Sequence, residues 1–198
     1  MGDYWNHNTH YHPLVLRAVP PGCGTALDVG CGDGLLARKL AGRAERVIGI
    51  DRYAPAVEKA RSLGGPGDLT FVEADFLTWS PPEDGVDFVS FVATIHHMDF
   101  TAALKKAEAV LRPGGALAVV GLALNATLAD WAFSALGLPA TRIMRLRNRA
   151  VAGGPDVPIL DADMSWGQVR RAAGELLPGS VFRKHVLWRY SLTWRKPY

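Results

Sequence analysis

Residues 28–34 read Asp-Val-Gly-Cys-Gly-Asp-Gly, and a further carboxylate, Asp51, follows seventeen residues after Gly34. Glycines that follow a strand let a ligand approach the backbone closely, because no Cβ intrudes. An acid ending the next strand can accept hydrogen bonds from two ribose hydroxyls. Gly30, Cys31, Gly32, Gly34 and Asp51 therefore predict a nucleoside site. A dinucleotide fingerprint would need G-x-G-x-x-G. Counted from Gly30, its last glycine falls on Leu35. The spacing is G-x-G-x-G instead, and Asp28 and Asp33 would repel a pyrophosphate. The extra carboxylate, Asp28, suits a ligand that carries an amino group. His96 and His97 offer an imidazole that can take a proton from a substrate hydroxyl near neutral pH, with His97 preferred as the base. His7, His10 and His12 stand close together without a local carboxylate or thiolate, so no metal is expected.

These residues need elements to hold them. Residues 26–29 form a short apolar run that stops in the glycines, and 35–41 has helical spacing. Residues 46–51 read as a second buried strand, 55–63 as a helix closed by Gly64-Gly65-Pro66-Gly67, and 69–73 as a third strand. Residues 86–92 are apolar on both faces, as a strand covered by helices on both sides would be. A helix over 100–111 and a fifth strand over 116–121 follow. The pattern predicts an α/β protein with a parallel sheet and helices on both faces. Residues 122–160 are long for a connection. Helices are expected there over 122–138 and 141–151. A helix over 164–177 and two antiparallel strands, 181–185 and 187–194, complete the chain.

In this order the motifs resemble the class I S-adenosylmethionine (SAM)-dependent methyltransferases, in their small-molecule branch. The residues that carry the resemblance are Leu27 to Gly34, Gly49-Ile50-Asp51, Glu73-Ala74-Asp75-Phe76, Val86-Asp87-Phe88-Val89, His96-His97-Met98 and Leu111-Arg112-Pro113-Gly114-Gly115. They span residues 26–121. The resemblance implies a Rossmann-like doubly wound, mostly parallel seven-stranded sheet with an antiparallel C-terminal hairpin and a helical lid insertion. It implies one domain over 1–198, with 1–24 as a lid arm and 122–160 as the insertion over the substrate pocket. It also implies roles. Gly30, Gly32 and Gly34 would pack against the methionine part and the ribose, and Asp28 would hold the amino group. Asp51 would bind the ribose hydroxyls, with Arg52 against the adenine. Asp75 would accept from the adenine amino group, flanked by Ala74 and Phe76. Phe91 and Val92 would line the methionine side, and Tyr11 or His12 would reach the methionine carboxylate or the substrate. Asp87 looks structural.

The implied reaction is methyl transfer from SAM to an oxygen, nitrogen or carbon nucleophile of a small molecule, leaving S-adenosylhomocysteine. Two other readings stay open: a SAM-binding protein with a non-methylating reaction, and an RNA methyltransferase. Composition bears on these. The chain has 198 residues, 48% of them hydrophobic, and a formal charge of +3. This excludes a disordered chain and gives no electrostatic case for nucleic acid. No Asn/Asp-Pro-Pro-Tyr/Phe run follows the fourth strand; Ala93-Thr94-Ile95-His96 stands there. No apolar run approaches a membrane span and no export signal opens the chain, so neither a membrane nor a nucleic-acid partner is expected and the cytoplasm is the default. Two cysteines cannot build a disulfide framework. Arg142, Arg145 and Arg149 share a predicted helix face, either solvated or binding an anion.

Overall fold

The computed structural model describes residues 4–148 and 162–198. Its strands are β1 (Cys23–Val29), β2 (Ala44–Asp51), β3 (Asp68–Glu73), β4 (Val86–Val92), β5 (Leu111–Gly121), β6 (Val181–His185) and β7 (Arg189–Arg195). They form one sheet in the order β3-β2-β1-β4-β5-β7-β6. The first five are parallel; β7 runs antiparallel to β5, and β6 antiparallel to β7. This is the Rossmann-like, mostly parallel sheet with an antiparallel C-terminal hairpin that the sequence predicts. The chain order reverses between β1 and β4, which opens a crevice at their carboxyl ends.

Helices α1 (His12–Ala18), α2 (Leu35–Leu40), α3 (Ala54–Leu63), α4 (Phe100–Val110), α5 (Leu128–Ala135), α6 (Gly137–Asn148) and α7 (Trp166–Leu176) complete the described elements. Alternate strand residues feed two cores. Leu27, Val29, Val89, Phe91 and Leu117 pack on one face with Leu104 of α4 and Trp166 of α7. Ala26, Phe88, Ala118 and Val120 pack on the other with Val15 of α1, Leu36 of α2 and Val57 of α3. The period of two along each strand divides its apolar residues between the two faces.

Local signals set several boundaries. Asp99 caps α4 by accepting from the Ala102 amide at 2.6 Å. Thr127 and Asp130 form a capping box at the start of α5, so that helix begins at Leu128 and not at 122. Residues 122–127 lie outside it, and the Leu124 amide donates to the Met164 carbonyl at 2.8 Å. Helix α6 starts at Gly137, four residues before the predicted start, with Pro139 tolerated in its first turn. Residues 149–160 of the predicted insertion fall outside the described residues, Arg149 among them. The N-terminal arm carries structure the sequence reading left out: a short 3-10 turn, Thr9–Tyr11, leads into α1. Leu187 and Trp188 form the hairpin turn before β7, with Trp188 at φ +55°. Asp87 is structural: its carboxylate accepts from the Thr25 amide at 2.8 Å and from Arg112 at 2.9 Å. No helix among the described residues is long and apolar enough to cross a membrane.

Candidate active site

A cavity of about 430 Å³ opens at the carboxyl ends of β1, β2 and β4. The loop after β1 forms its floor. Gly30, Gly32 and Gly34 all have positive φ, at +69°, +54° and +78°. The Gly30 and Cys31 amides donate to the Ile50 carbonyl at 2.8 and 3.0 Å, which ties the loop to β2. A Cβ on Gly30 would come within 2.0 Å of Thr94 Oγ1, so the glycine lets the chain after β4 close against the loop. A Cβ on Gly34 would instead strike the Phe71 ring of β3 at 2.4 Å.

Asp51 ends β2 and lines the cavity. Its Oδ2 accepts from the Gly32 amide and its Oδ1 from the Tyr53 amide, both at 2.9 Å. Two backbone donors fix the carboxylate in place and leave lone pairs for further donors. Asp75 sits on the next rim with its Oδ1 accepting from the Leu77 amide at 2.8 Å. Lys106 of α4 holds that rim from outside, donating to the carbonyls of Leu77 and Trp79 at 2.9 and 2.6 Å. Phe76 stacks edge-on against Phe91, their centroids 5.3 Å apart.

The third side comes from the chain after β4. Ala93 takes a left-handed conformation, φ +54°, pinned by its amide donating to the Val120 carbonyl at 2.7 Å. A non-glycine residue held there stores about 1–3 kcal/mol of strain, a feature that clusters at functional sites. A 3-10 turn, Ile95–His97, follows and brings His97 and Met98 to the cavity. Burial lowers the His97 pKa, and the nearby Arg52 guanidinium lowers it further against the opposing charge of Asp51. The imidazole is therefore neutral at neutral pH and able to accept a proton.

Asp28 lies beneath the loop. Its Oδ1 accepts from Ser90 Oγ at 2.8 Å, while its buried Oδ2 has no partner among the described residues. Burial pushes its pKa up to about 7, the Ser90 hydrogen bond opposes the rise, and Asp51 adds to it. An orphaned buried carboxylate oxygen is costly unless something cationic or hydrogen-bonding is close.

The structure brings together at the cavity Gly30, Gly32, Asp51, Arg52, Ala74, Asp75, Phe76, Val92 and His97 of the predicted site. Asp28, Cys31, Gly34, Phe91 and Tyr11 do not line it. Cys31, Gly34 and Phe91 are buried in the supporting layer. Tyr11 is buried against His185, ring centroids 4.9 Å apart. The arm reaches the cavity through Asn8, which the sequence reading missed. The Asn8 carboxamide oxygen accepts from Arg189 Nε and Nη2 at 2.9 and 2.7 Å. Its amide NH2 has no acceptor among the described residues. Tyr4 also donates to Asp33 Oδ1 at 3.2 Å, so the arm touches the glycine loop. No local pattern marks Asn8; Thr94 and Met98, also missed, stand within the run after β4 that the sequence does mark. Among the described residues no cluster of His, Cys, Asp or Glu could hold a metal.

A glycine floor, a fixed acid on β2, a second acid on the next rim and a crevice at the β1/β4 reversal define an enzyme fold for a nucleoside cofactor. Comparison with known proteins makes this specific. The methyltransferase domain model matches residues 26–115. An uncharacterized methyltransferase of Mycobacterium tuberculosis is 34% identical over 205 aligned positions that take in 100% of both chains. The ubiquinone biosynthesis O-methyltransferase of Paramagnetospirillum magneticum is 36% identical over 118 residues, 57% of this chain and 45% of that one. The N-methyltransferase NodS of Bradyrhizobium japonicum, solved with S-adenosyl-L-homocysteine, shares the fold with a TM-score of 0.63 and 19% identity over 96% of this chain and 87% of that one. The chain belongs to the class I SAM-dependent methyltransferases.

Proposed function

We propose that this methyltransferase acts on a small-molecule acceptor in the cytoplasm and binds SAM in the cavity above β1, β2 and β4. The observation that carries the reading is that cavity: about 430 Å³, floored by glycine backbone and walled by Asp51, Asp75 and His97. When bound there, SAM supplies a methyl group already activated by its positively charged sulfur. The residues fit such a group. The orphaned Asp28 oxygen and the acids at 33 and 51 favour a cation at the loop. Asp51 keeps lone pairs for ribose hydroxyls, Asp75 offers one to an adenine amino group, and Phe76, backed by Phe91, gives an apolar surface for the ring. Gly34 serves as support beneath the loop, and Asn8, held by Arg189, stands in the place expected of Tyr11.

The remaining chemistry is alignment and proton removal. Holding donor and acceptor in line contributes up to roughly 7–11 kcal/mol of barrier reduction. His97, neutral at neutral pH, takes the proton of an acceptor hydroxyl or amine. The named activities of similar proteins span O-methylation, C-methylation of a sterol and N-methylation, in keeping with an oxygen, carbon or nitrogen acceptor. The test is release of S-adenosylhomocysteine from SAM with a panel of phenols, amines and hydroxylated lipids, run beside bulk RNA. Turnover with a panel member is expected. Turnover with RNA alone, or tight SAM binding with no acceptor anywhere, overturns the reading in favour of an RNA enzyme or a non-methylating one.

A further inference from the structure

Between β5 and α7 the chain leaves the sheet as the α5–α6 hairpin, whose amphipathicity is inverted. On α5, Leu128, Trp131, Ala132 and Ala135 fall at i, i+3, i+4 and i+7, one helix face, and all four are exposed. Leu128 is 89% and Trp131 63% exposed. The polar residues of that helix turn inward: Asp130 is buried in an ion pair with Lys184, and Ser134 donates to Asn125 Oδ1 at 2.8 Å. On α6, Leu138, Ile143 and Leu146 are exposed by 67, 53 and 79%. Among the described side chains of the hairpin, the exposed charge is positive. By sequence its two helices hold three arginines and one carboxylate; Arg142 is exposed, and the carboxylate, Asp130, is taken by Lys184.

We propose that the outward face of the α5–α6 hairpin docks on an anionic lipid surface. Tryptophan and leucine on one side with arginine alongside is the composition of a helix lying in a bilayer interface. Positive charge without exposed acid matches anionic headgroups. A second copy of the chain is the poorer occupant, because two such hairpins would bring like charge together: Arg142 is exposed and the carboxylate of these helices is already paired with Lys184. The hairpin is tied to the arm that reaches the cavity, where His7 and Thr141 Oγ1 lie 3.3 Å apart, and to the turn before β7, where Trp188 donates to the Ser134 carbonyl at 2.9 Å. A docked face would thus sit beside the arm that carries Asn8. The expectation of no membrane partner rested on the lack of a spanning segment, which a helix lying in the interface does not need. Docking there does not depend on the acceptor.

The experiment is co-flotation of the full chain with vesicles of phosphatidylcholine alone and of equal phosphatidylcholine and phosphatidylglycerol. Binding to the anionic vesicles is expected to be about tenfold tighter or more, and to weaken as salt is raised. The triple variant Leu128→Ser/Trp131→Ser/Ile143→Ser should lose about tenfold or more of that binding, with its S-adenosylhomocysteine affinity unchanged as a control of folding. Brominated lipid should quench the wild type more than Trp131→Phe, which places the face without the triple variant. Equal flotation of wild type and triple variant, or equal quenching of wild type and Trp131→Phe, overturns the proposal. So does a concentration-dependent dimer in light scattering that the triple variant abolishes while no protein floats.

Discussion

The sheet strands and the α5–α6 hairpin are both rich in apolar residues, yet the two regions use them in opposite ways. In β1 and β4 the apolar side chains disappear into two cores: Leu27, Phe88, Val89 and Phe91 are all fully buried. In the hairpin Leu128, Trp131 and Leu146 stand out from the surface, while Asp130 and Ser134 turn in. A polar-in, apolar-out helix does not arise from the demands of its own core, since those demands favour the reverse. The contrast separates residues whose role ends with folding from residues whose partner lies outside the chain. It predicts that substitutions in the sheet and its loops move stability and cofactor affinity, while substitutions on the hairpin face move neither.

The largest effect is expected at Gly30. Gly30→Ala must hold a left-handed backbone and push Thr94 aside, which costs about 3 kcal/mol in chemical denaturation. A variant as stable as wild type would break the link drawn between the β1 loop and the chain after β4. Next comes the base. His97→Ala should lower turnover about 100-fold at neutral pH. In the wild type, the acid limb of the rate profile should lie below the ordinary imidazole value of 6.5, because burial and Arg52 depress the His97 pKa. A rate unchanged in His97→Ala would leave His97 as a wall of the pocket.

Asp51→Ala should weaken S-adenosylhomocysteine binding by about 1–3 kcal/mol in calorimetry, through loss of a charged acceptor and of the anchor for Gly32 and Tyr53. Undiminished affinity would move the ribose away from β2. At Asp28 the effect depends on pH. Its pKa is raised from 3.8 to about 7 by burial, so it contributes stability fully below about pH 4 and loses that contribution as pH rises through about 7. Thermal melts of the ligand-free protein should therefore fall over this window relative to Asp28→Asn. Parallel curves would mean that the carboxylate finds a partner in solution. The smallest effect sharpens the comparison most. Leu128→Ser and Ile143→Ser should each shift stability by less than about 0.5 kcal/mol, because neither side chain leaves a cavity behind. A loss of 2 kcal/mol or more in either, the size of a core truncation, would put the hairpin face inside the fold.

Much of the fold was legible in the residues. The apolar runs at 46–51 and 86–92, each ending in a glycine, an acid or a turn, describe buried parallel strands without help from elsewhere, because a strand covered on both faces has no polar side to alternate with. The glycine spacing and Asp51 marked the floor of the cavity for the same local reason. The helices of 122–148 were misjudged in their limits, since the Thr127 capping box and the early start at Gly137 compete with apolar residues on both sides of the boundary. Gly34 and Phe91 read as ligand neighbours, yet the first packs on Phe71 and the second lies beneath Phe76. Spacing along a strand says which face a residue takes but not what stands between it and the cavity.

By itself the sequence determined the order of elements and set the glycine loop and Asp51 at the ends of neighbouring strands, because strand period, turn chemistry and carboxylate placement act over a few neighbouring residues. The tertiary structure alone decided that Asn8 and not Tyr11 reaches the cavity, that Arg189 holds it from 181 residues away, and that the apolar face of α5 looks outward. Those outcomes depend on which surfaces meet once the sheet has closed, and packing between distant segments leaves no periodic trace in either of them.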